Sequence, residues 1–503
     1  MVDFSKLSKA KKINKGLYAI DNKREGIEDF FSPNNLTSLF TGFDVNMLNG
    51  LNAGQVTMVE DLVSYLEDPN DPREYFTVYG GPGTGKSFAI KRAISHINLS
   101  RFIAAAPSHF AKNVLKDFLG EDFKVTTTAS MLGKILKYVE GKAILVDNPK
   151  YHTLDPPIYT VDVVLIDEIS MVDDDQARQV LEDCRGKKLI VMGDYCQLPP
   201  VGQHTDSLFF ENISAELTVS MRFTGNIRDL VVAVRGEILC LRKGLVPNIN
   251  IINHITDRRS KIDKKGSGYI FLNSEALMLR SATLRFKEHK GINYARIVAF
   301  RNETVERLTL KIRKNLFGAT PKQFEKDEIL ISDGGFTVQN KSIINNGEIF
   351  KVRKAVAVDG PYNIKCMELF FEGRNFERSI LTVAKEDKLK YTKLLMRLKR
   401  AAKADKENWR HYHKLMESFA HFSYAYVLTS HKVQGSSIKY VYVLEDDILG
   451  VKPTTVKEKL QSLNVAISRA SFRVYIFNKK YKIDYTNLNK EHLKLKPDEN
   501  NKT

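Results

Sequence analysis

The feature that most constrains this chain is a glycine-rich stretch that follows an apolar run and precedes an amphipathic segment. Residues 80–87, of sequence GGPGTGKS, have the spacing of a phosphate-binding loop. The apolar, β-prone residues Tyr75 to Tyr79 before it predict a buried strand, and the apolar positions 90, 93, 94 and 97 after it have helical spacing. This order predicts a nucleoside triphosphate site and disfavours a glycine-rich turn that merely carries a lysine.

The residue types of the loop explain its chemistry. Glycines let consecutive backbone N–H groups point at phosphate oxygens, at the positive end of the following helix. We expect the Lys86 ammonium to reach the β- and γ-phosphates and the Ser87 hydroxyl to coordinate Mg²⁺. The residues expected to contact the nucleotide here are Gly81, Pro82, Gly83, Thr84, Gly85, Lys86 and Ser87.

The charge of the chain favours a polyanionic partner. The 503 residues carry 77 basic and 60 acidic side chains, a formal net charge of +17. Beside a nucleotide site this excess favours nucleic acid over an anionic membrane, and a basic protein without such a partner is the alternative. The length predicts about three or four structural units.

Compartment and redox state follow from simpler features. The sequence contains no apolar run long enough to cross a bilayer and no signal-peptide core, so we expect a cytoplasmic protein without membrane partners. The four cysteines form no CxxC pair, which argues against a zinc site and a disulfide framework. We interpret them as small apolar packing residues.

The rest of the chain reads as an α/β protein with an interruption. Strand-like runs separated by helical stretches predict two α/β domains in tandem. Turn signals at residues 345–347 and 359–361 predict a small β-barrel insert within residues 335–383. Residues 384–418 read as one long basic helix that contains Trp409 and Tyr412, and both DNA contact and a solvated face remain open for it.

Two further strands end in polar residues suited to the same chemistry. The run 163–166 is followed by Asp167 and Glu168, and the run 188–192 leads to Asp194 and Gln197. At the carboxyl edge of a parallel sheet, Asp167 would hold Mg²⁺ and Glu168 would orient and deprotonate the attacking water. The neutral amide of Gln197 would sense a γ-phosphate by hydrogen bonding.

These segments, taken with others in the same order, resemble the motifs of superfamily 1 helicases. DEISMV at 167–172 and GDYCQLPPV at 193–201 are similar to motifs II and III of the 5′→3′ RecD/Pif/Dda branch, and the insert places the chain nearest the Dda type of phage helicases. The other matching segments are 51–55 (Q motif), 106–112 (motif Ia), 126–130 (motif Ib), 217–223 (arginine-finger segment), 429–435 (motif V) and 464–470 (motif VI).

The resemblance implies two tandem RecA-like P-loop domains, each with an insert. The implied divisions are an N-terminal extension (1–50), domain 1A (51–135 and 161–255), a β-hairpin pin (136–160), domain 2A (256–334 and 420–490), an SH3-like barrel with a basic helix (335–419) and a tail (491–503).

The resemblance also implies roles for residues in both domains. Lys86, Glu168, Gln197 and the two arginines Arg222 and Arg469 are the implied catalytic groups, with ATP and Mg²⁺ as cofactors. Gln55, Gln434 and Gly435 would contact the nucleotide, and Ser87 and Asp167 the metal. An arginine at the transferring phosphate is worth about 10³–10⁵ in rate, which supports the assignment of the two arginines.

DNA contacts are expected across the tops of both domains. Hydroxyls, imidazoles and an amine suit phosphate and sugar contacts without reading sequence, and an aromatic ring supplies a stacking surface, although Phe300 fits the core equally well. Tyr151 and His152 are the predicted wedge of the pin, whose alternative is a passive surface hairpin. The predicted DNA residues are Pro107, Ser108, His109, Thr128, Tyr151, His152, Phe300, Thr429, Ser430, His431 and Lys432.

The sequence therefore predicts an ATP-dependent DNA helicase that moves 5′→3′ on single-stranded DNA in a bacterial or phage-infected cell. We expect single-stranded and fork DNA as partners, single-strand-binding protein or replisome components as further ones, and a monomer. A superfamily 1 RNA helicase and a P-loop ATPase that binds DNA without moving are the alternatives.

Overall fold

The computed structural model describes residues 48–480 except for short gaps. The gaps are residues 96–100, 140–141, 149–150, 152, 201–202, 204, 219–224, 289–290, 339–340, 375, 377–378, 405–407 and 453. The predicted N-terminal extension up to residue 47, the tail from 491, His152 and Arg222 lie outside the described residues.

The first lobe is a parallel sheet covered by helices. Its strand order is β3-β2-β6-β7-β1-β8, and every neighbouring pair is parallel. Parallel pairing requires crossover connections, and these are mostly helical here. The elements are α1 (Ala53–Glu67), β1 (Phe76–Gly80), α2 (Lys86–Ile94), β2 (Phe102–Ala106), α3 (His109–Leu119), β3 (Val125–Thr127), α4 (Thr128–Met131), β4 (Lys134–Val139), β5 (Lys142–Asp147), β6 (Val163–Ile166), α5 (Asp174–Asp183), β7 (Lys188–Gly193), β8 (Ala215–Leu217) and α6 (Asn226–Arg242).

The second lobe repeats this plan. Its sheet has the order β19-β11-β20-β21-β10-β9, parallel except for the short antiparallel strand β9. The elements up to the insert are α7 (Ile251–Thr256), β9 (Lys261–Ile262), β10 (Gly268–Leu272), α8 (Glu275–Lys287), β11 (Ala295–Ala299) and α9 (Asn302–Phe317).

The insert and the end of the second lobe complete the described chain. Their elements are β12 (Ile329–Ser332), β13 (Phe336–Val338), β14 (Lys341–Ile344), β15 (Ile349–Gly360), β16 (Ile364–Phe371), β17 (Ile380–Val383), α10 (Lys388–Ala404), α11 (Trp409–Met416), β18 (Phe422–Tyr424), β19 (Val427–Thr429), β20 (Ile438–Leu444), α12 (Glu445–Leu449), α13 (Val456–Ser468) and β21 (Ala470–Phe477).

The structure confirms one part of the predicted fold class, the two α/β lobes with parallel sheets. The strand runs predicted at 75–79, 101–105, 161–166, 188–192, 296–300, 440–444 and 473–477 match β1, β2, β6, β7, β11, β20 and β21 to within three residues. Burial is the reason, because strands covered on both faces are near-continuous apolar runs that a sequence reveals directly. In the same two sheets the three-residue strands β3, β8 and β19, the two-residue strand β9 and the buried five-residue strand β10 were not predicted.

The two lobes are joined by a pair of packed helices. Helix α6 of the first lobe contacts helix α13 of the second. Helix α13 is buried on all sides from Leu460 to Ser468, as expected for a helix in the interior of a larger protein. Residues of both sheets therefore belong to one continuous apolar cluster.

The insert is an antiparallel β-unit followed by two helices. Its five strands have the order β17-β16-β15-β12-β18, and β13 and β14 form a separate hairpin. The two predicted turns lie where expected, between β14 and β15 and between β15 and β16. The single helix predicted over 384–418 is wrong, because α10 and α11 are separate helices that pack against each other.

The hairpin of the first lobe is displaced from its predicted position. Strands β4 and β5 pair antiparallel from Lys134↔Asp147 to Val139↔Lys142, whereas the predicted pin spans 136–160 with Tyr151 and His152 as its wedge. Tyr151 consequently lies near the base of the hairpin, against Gly133.

The structure also bears on the cysteines and on membrane-spanning segments. Cys184, Cys196 and Cys366 are buried free thiols and Cys240 is half-buried, which confirms their interpretation as packing residues. Within the described part of the chain, we find no helix with the length and apolar character needed to cross a membrane.

A buried ion pair attaches the insert to helix α9. Arg313 donates from Nε to Glu328 Oε1 at 2.6 Å and from Nη2 to the Lys322 carbonyl at 2.6 Å. Both charged side chains are nearly fully buried, at 5% and 0% exposure. Removing one partner would leave an uncompensated charge in the interior.

We predict that Arg313→Met destabilises the protein by about 3–5 kcal/mol, because Glu328 would stay buried without its cation. Chemical denaturation followed by circular dichroism measures this loss. The matched control is Arg178→Met, which breaks an exposed pair with Asp175 and should cost less than about 1 kcal/mol. Equal losses in the two variants would contradict the prediction.

Candidate nucleotide site

The glycine loop lies at the carboxyl end of β1 and leads into α2. Gly83 and Gly85 have φ angles of 75° and 76°, which side chains with a Cβ rarely adopt. Gly85 is the N-cap of α2 and offers no side chain to its first N–H groups, so these remain available to an anion. Lys86 Nζ lies over the loop, 2.7 Å from the Gly80 carbonyl oxygen and 3.3 Å from that of Gly81.

Gln55 holds the loop against the start of α1. Its Nε2 donates to the Thr84 carbonyl at 3.0 Å, and its Oε1 accepts from the Asn52 N–H at 3.0 Å. The Asn52 side chain accepts from Gln55 N–H in return, which completes a capping box. A Cβ on Gly85 would collide with Gln55 Nε2. The glutamine predicted to contact the nucleotide is thus one layer behind the phosphate loop.

Asp167 and Glu168 follow β6 on the same sheet edge. Burial, together with the neighbouring Glu168 carboxylate, raises the pKa of Asp167, and the nearby Lys86 ammonium opposes that rise. Glu168 has φ 53°, a left-handed conformation that is costly for a residue with a side chain and is concentrated at functional sites. A bound cation would stabilise the charged form of a carboxylate in these surroundings.

The segment after β7 carries the next predicted group. Gln197 is buried, and its Oε1 has no hydrogen-bond partner among the described residues. Asp194 is fully buried and accepts from the Cys196 N–H at 3.0 Å. Its other oxygen accepts from Arg235 Nη1 at 2.6 Å.

Arg235 is a residue at this site that the sequence did not reveal. It belongs to α6, and its Nη2 donates to the Tyr79 hydroxyl at 2.6 Å. A Cβ on Gly81 would lie 3.0 Å from its guanidinium carbon. No sequence signal identifies it, because the glycine loop and α6 are about 150 positions apart and the residue belongs to no predicted motif.

The predicted residues of the second lobe lie at the end of α13 and in the segment that follows β19. Arg469, at the end of α13, is 3% exposed and donates to the Ser436 carbonyl at 3.4 Å and to Ser468 Oγ at 3.0 Å. Gln434 is buried, and both polar atoms of its side-chain amide have no partner in the described structure. A Cβ on Gly435 would lie 3.2 Å from the ring of Phe110 in the first lobe.

Two hydrogen bonds cross from α13 to the segment that follows β7. Gln461 Nε2 donates to the Tyr195 carbonyl and Asn464 Nδ2 to the Cys196 carbonyl, both at 2.8 Å. The helix that ends at Arg469 therefore touches the residues beside Gln197.

These residues fit a nucleotide with a divalent cation. The N–H groups at the start of α2 and the Lys86 ammonium suit phosphate oxygens, and the unpartnered Nε2 of Gln434 can donate to an oxygen of the same kind. The Ser87 hydroxyl and the Asp167 carboxylate are oxygen ligands of the kind Mg²⁺ prefers. Among the described residues there is no group of three or more His, Cys, Asp or Glu side chains that could hold a metal ion.

The predicted DNA residues fall into two sets. Ser108 caps helix α3, and His109 beside it is half-buried with Nδ1 unpartnered in the described chain. Burial lowers the pKa of both His109 and His431, which favours neutral imidazoles. Lys432 is exposed and forms an ion pair of 3.0 Å with Asp333 of the insert. The residues of this accessible set are Pro107, Ser108, His109, Thr429, His431 and Lys432.

The second set does not reach the surface. Thr128 and Ser430 are fully buried, and Ser430 Oγ accepts from Ser462 Oγ at 2.6 Å. These two hydroxyls therefore lie in the interior of the protein. The position of a residue within a motif does not indicate whether its side chain is buried. Phe300 is half-buried against the core and lies edge-on to the His431 ring at 6.3 Å.

A separate cavity lies at the carboxyl edge of the second sheet. It has a volume of about 670 Å³ and is lined by charged side chains of α9, α12 and the residues after β21. Two of its arginines are already paired, Arg301 with Asp447 at 2.6 Å and Arg307 with Glu275 at 2.8 Å. The phosphate loop, and not this cavity, is therefore the candidate active site.

Comparison with known proteins finds both a matching family and individual relatives. Residues 50–245 match the family described as AAA domain. The chain is 22% identical over 440 residues to the ATP-dependent DNA helicase Dda of Enterobacteria phage T4, covering 80% of this chain and 94% of the phage protein. It is equally 22% identical, over 505 residues, to the uncharacterized protein R530 of Acanthamoeba polyphaga mimivirus, covering 84% and 99% of the two chains.

Solved structures with similar architecture include Pif1 helicases. That of Candida albicans has a TM-score of 0.47 and 16% identity, covering 85% of this chain and 94% of that one. The Pif1 helicase from Bacteroides, in complex with ADP-AlF3 and single-stranded DNA, has a TM-score of 0.40 and 16% identity, covering 83% and 91%. The similarity to Dda over nearly its whole length confirms the resemblance predicted from the motifs.

We predict that Gln55→Glu weakens nucleotide binding by about 5- to 150-fold, the equivalent of about 1–3 kcal/mol. The change places a carboxylate oxygen against the Thr84 carbonyl and removes the donor that holds the loop. Titration with a fluorescent nucleotide measures the affinity. Asn70→Asp, the same amide-to-carboxylate change at an exposed position, should bind like the wild type, and equal binding by both variants would contradict this role of Gln55.

Proposed function

We propose that this chain, a superfamily 1 helicase of the Pif1/Dda-like type, is an ATP-dependent DNA helicase that translocates 5′→3′ on single-stranded DNA and unwinds duplex. The observation that carries the proposal is the contact between a helix of the second lobe and the segment that follows β7 in the first. Gln461 and Asn464 of α13, the helix that ends at Arg469, donate to the Tyr195 and Cys196 carbonyls, and β7 pairs with the strand that leads into the phosphate loop.

The proposed mechanism assigns each group a task in phosphoryl transfer. Lys86 and Arg469 stabilise the negative charge that spreads over the phosphate oxygens, as Arg222 does from its own segment. Glu168 orients and deprotonates the attacking water, and Gln197 senses the γ-phosphate through its amide. Ser87 and Asp167 would hold Mg²⁺, which neutralises phosphate charge when bound.

Movement is proposed to arise because the site is complete only when both lobes contribute to it. Closure on ATP brings groups of both lobes to one phosphate, and hydrolysis removes the ligand that favours closure. Each cycle of turnover then becomes a relative motion of the lobes. Gln434 and Gly435 lie where the two lobes meet, and they follow the accessible residues His431 and Lys432 closely in the chain.

The proposed DNA track follows the accessible set, which includes residues of both lobes. His109 belongs to the first lobe and His431 and Lys432 to the second, so a strand crossing both is gripped by groups that move relative to one another. Phosphate and sugar contacts carry no base specificity, as translocation requires. The ion pair of Lys432 with Asp333 is exposed and weak, so DNA phosphate can replace the carboxylate.

The proposal also covers the insert, the hairpin and the binding partners. We expect the β-unit of the insert to be an SH3-like barrel and the hairpin β4–β5 to act at the fork. Single-stranded and forked DNA are the proposed partners, with single-strand-binding protein or replisome components as further ones. A cytoplasmic monomer is the proposed state.

We predict that Lys86→Ala abolishes ATPase and unwinding activity but leaves single-stranded DNA binding largely intact. The loss should be at least about 10²–10³-fold in kcat, as for other removed transition-state donors. Lys91→Ala, on the same helix but bonded to the Phe118 carbonyl, is the matched control and should retain activity. Wild-type unwinding by the Lys86 variant would refute the site assignment.

We also predict strong stimulation of the ATPase by single-stranded DNA and a linear fall of log affinity with log salt concentration. Equal oligonucleotides of DNA and RNA distinguish the alternative RNA helicase, because only RNA offers 2′-hydroxyls. Displacement of streptavidin from the 3′ end alone would establish 5′→3′ movement. Displacement from neither end would favour the alternative of an ATPase that binds DNA without moving.

A further inference from the structure

Arg235 is a buried cation between the phosphate loop and the segment after β7. Its side chain is 13% exposed and that of its partner Asp194 is 0% exposed, with 2.6 Å between Nη1 and Oδ2. A second bond of 2.6 Å joins Nη2 to the Tyr79 hydroxyl in the strand that leads into the loop. A guanidinium can bond two acceptors in a fixed fork, which a lysine ammonium cannot reproduce.

The guanidinium also touches the loop itself. A Cβ on Gly81 would lie 3.0 Å from Cζ, 3.2 Å from Nη2 and 3.3 Å from Nε. The second residue of the loop therefore rests directly on the arginine, and glycine is required there for this close approach. A shift of the guanidinium by even an ångström must move Gly81 or open a gap behind it.

Asp194 connects the same arginine to the second lobe. Its Oδ1 accepts from the Cys196 N–H at 3.0 Å and so fixes the turn after β7. The carbonyls of Tyr195 and Cys196, in that turn, are the two acceptors used by Gln461 and Asn464 of α13. The Tyr195 ring stacks on the Tyr79 ring with 4.0 Å between the centroids, so the turn after β7 also contacts strand β1.

We propose that Arg235 is a positioning residue that couples the closure of the two lobes to the phosphate loop, with Gln461 and Asn464 as its contacts in the second lobe. This inference rests on the proposed helicase function and adds the path between nucleotide and lobe motion. Motion of α13 displaces the turn after β7, the turn displaces Asp194, and the buried ion pair carries the shift to Gly81. A buried pair transmits such motion because separating it in the interior is costly.

The test measures how strongly nucleotide and DNA binding depend on each other. The affinity of a dT oligonucleotide is measured with and without a non-hydrolysable ATP analogue, and that of the analogue with and without the oligonucleotide. The two ratios must agree in a linked system, and the wild type should give a value in the usual range of about 5–150.

Arg235→Lys should bring this ratio to about 1, whatever change it causes in the affinity for each ligand alone. Tyr79→Phe removes one acceptor of the fork and keeps both charges, so it should give an intermediate ratio even if the lysine variant folds poorly. Arg228→Lys, at an exposed position on α6, is the matched control and should keep the wild-type ratio.

A double-mutant cycle tests the contacts in the second lobe. Asn464→Ala should lower the ratio by itself, and adding it to Arg235→Lys should lower it no further, because both changes break one path. Full additivity would overturn the path through Asn464.

Two further outcomes would overturn the role of Arg235. The first is a wild-type ratio in Arg235→Lys and Tyr79→Phe, and the second is a parallel loss of both single-ligand affinities and of thermal stability at an unchanged ratio. A wild-type ratio of 1 would instead count against the proposed function, which separates the two failures.

Discussion

The packing of α6 against α13 is the contact on which the rest of the structure depends. Each helix belongs to a different lobe, and their apolar faces merge two sheets into one continuous core. Helix α6 contributes Arg235 beside the phosphate loop, and α13 contributes Gln461, Asn464 and Arg469. Residues from opposite lobes can therefore meet at one nucleotide without a long flexible segment between them.

Buried polar side chains of this protein differ in how completely they are hydrogen-bonded. Glu328 is matched by Arg313, and Asp447 accepts from the Phe300 and Arg301 N–H groups at 2.8 and 3.0 Å and from Thr304 Oγ1 at 2.7 Å. The amides of Gln197 and Gln434, by contrast, retain unpartnered atoms among the described residues, as do several buried hydroxyls that include Thr128 and Thr309. Unsatisfied buried polar atoms cost free energy, so each of the two amides would gain from a polar ligand.

The charged residues of the insert fall into two groups, a basic stretch and acidic residues beside the accessible DNA set. The insert is strongly basic, with eleven Lys and Arg residues against four Asp and Glu residues between 385 and 414. At the accessible DNA set, however, Lys432 is paired with Asp333 of the insert, and Glu348 of the insert lies near His109. The insert thus sets the local electrostatics of the proposed track from outside both sheets.

The sequence by itself determined the phosphate loop, most of the buried strands and the order of the motifs, because each depends on residues adjacent in the chain. Glycines at φ-positive positions and strands covered on both faces leave a local signature that needs no knowledge of the fold.

Only the tertiary structure decided which polar residues face solvent and which distant residues meet. Thr128 and Ser430 occupy motif positions like those of their accessible neighbours, yet both are fully buried, since burial depends on the elements packed above them. Arg235 of α6 contacts both Gly81 and Asp194, and no spacing in the sequence encodes that approach. Contacts between residues far apart in the chain are set by packing, and packing is a property of the whole fold.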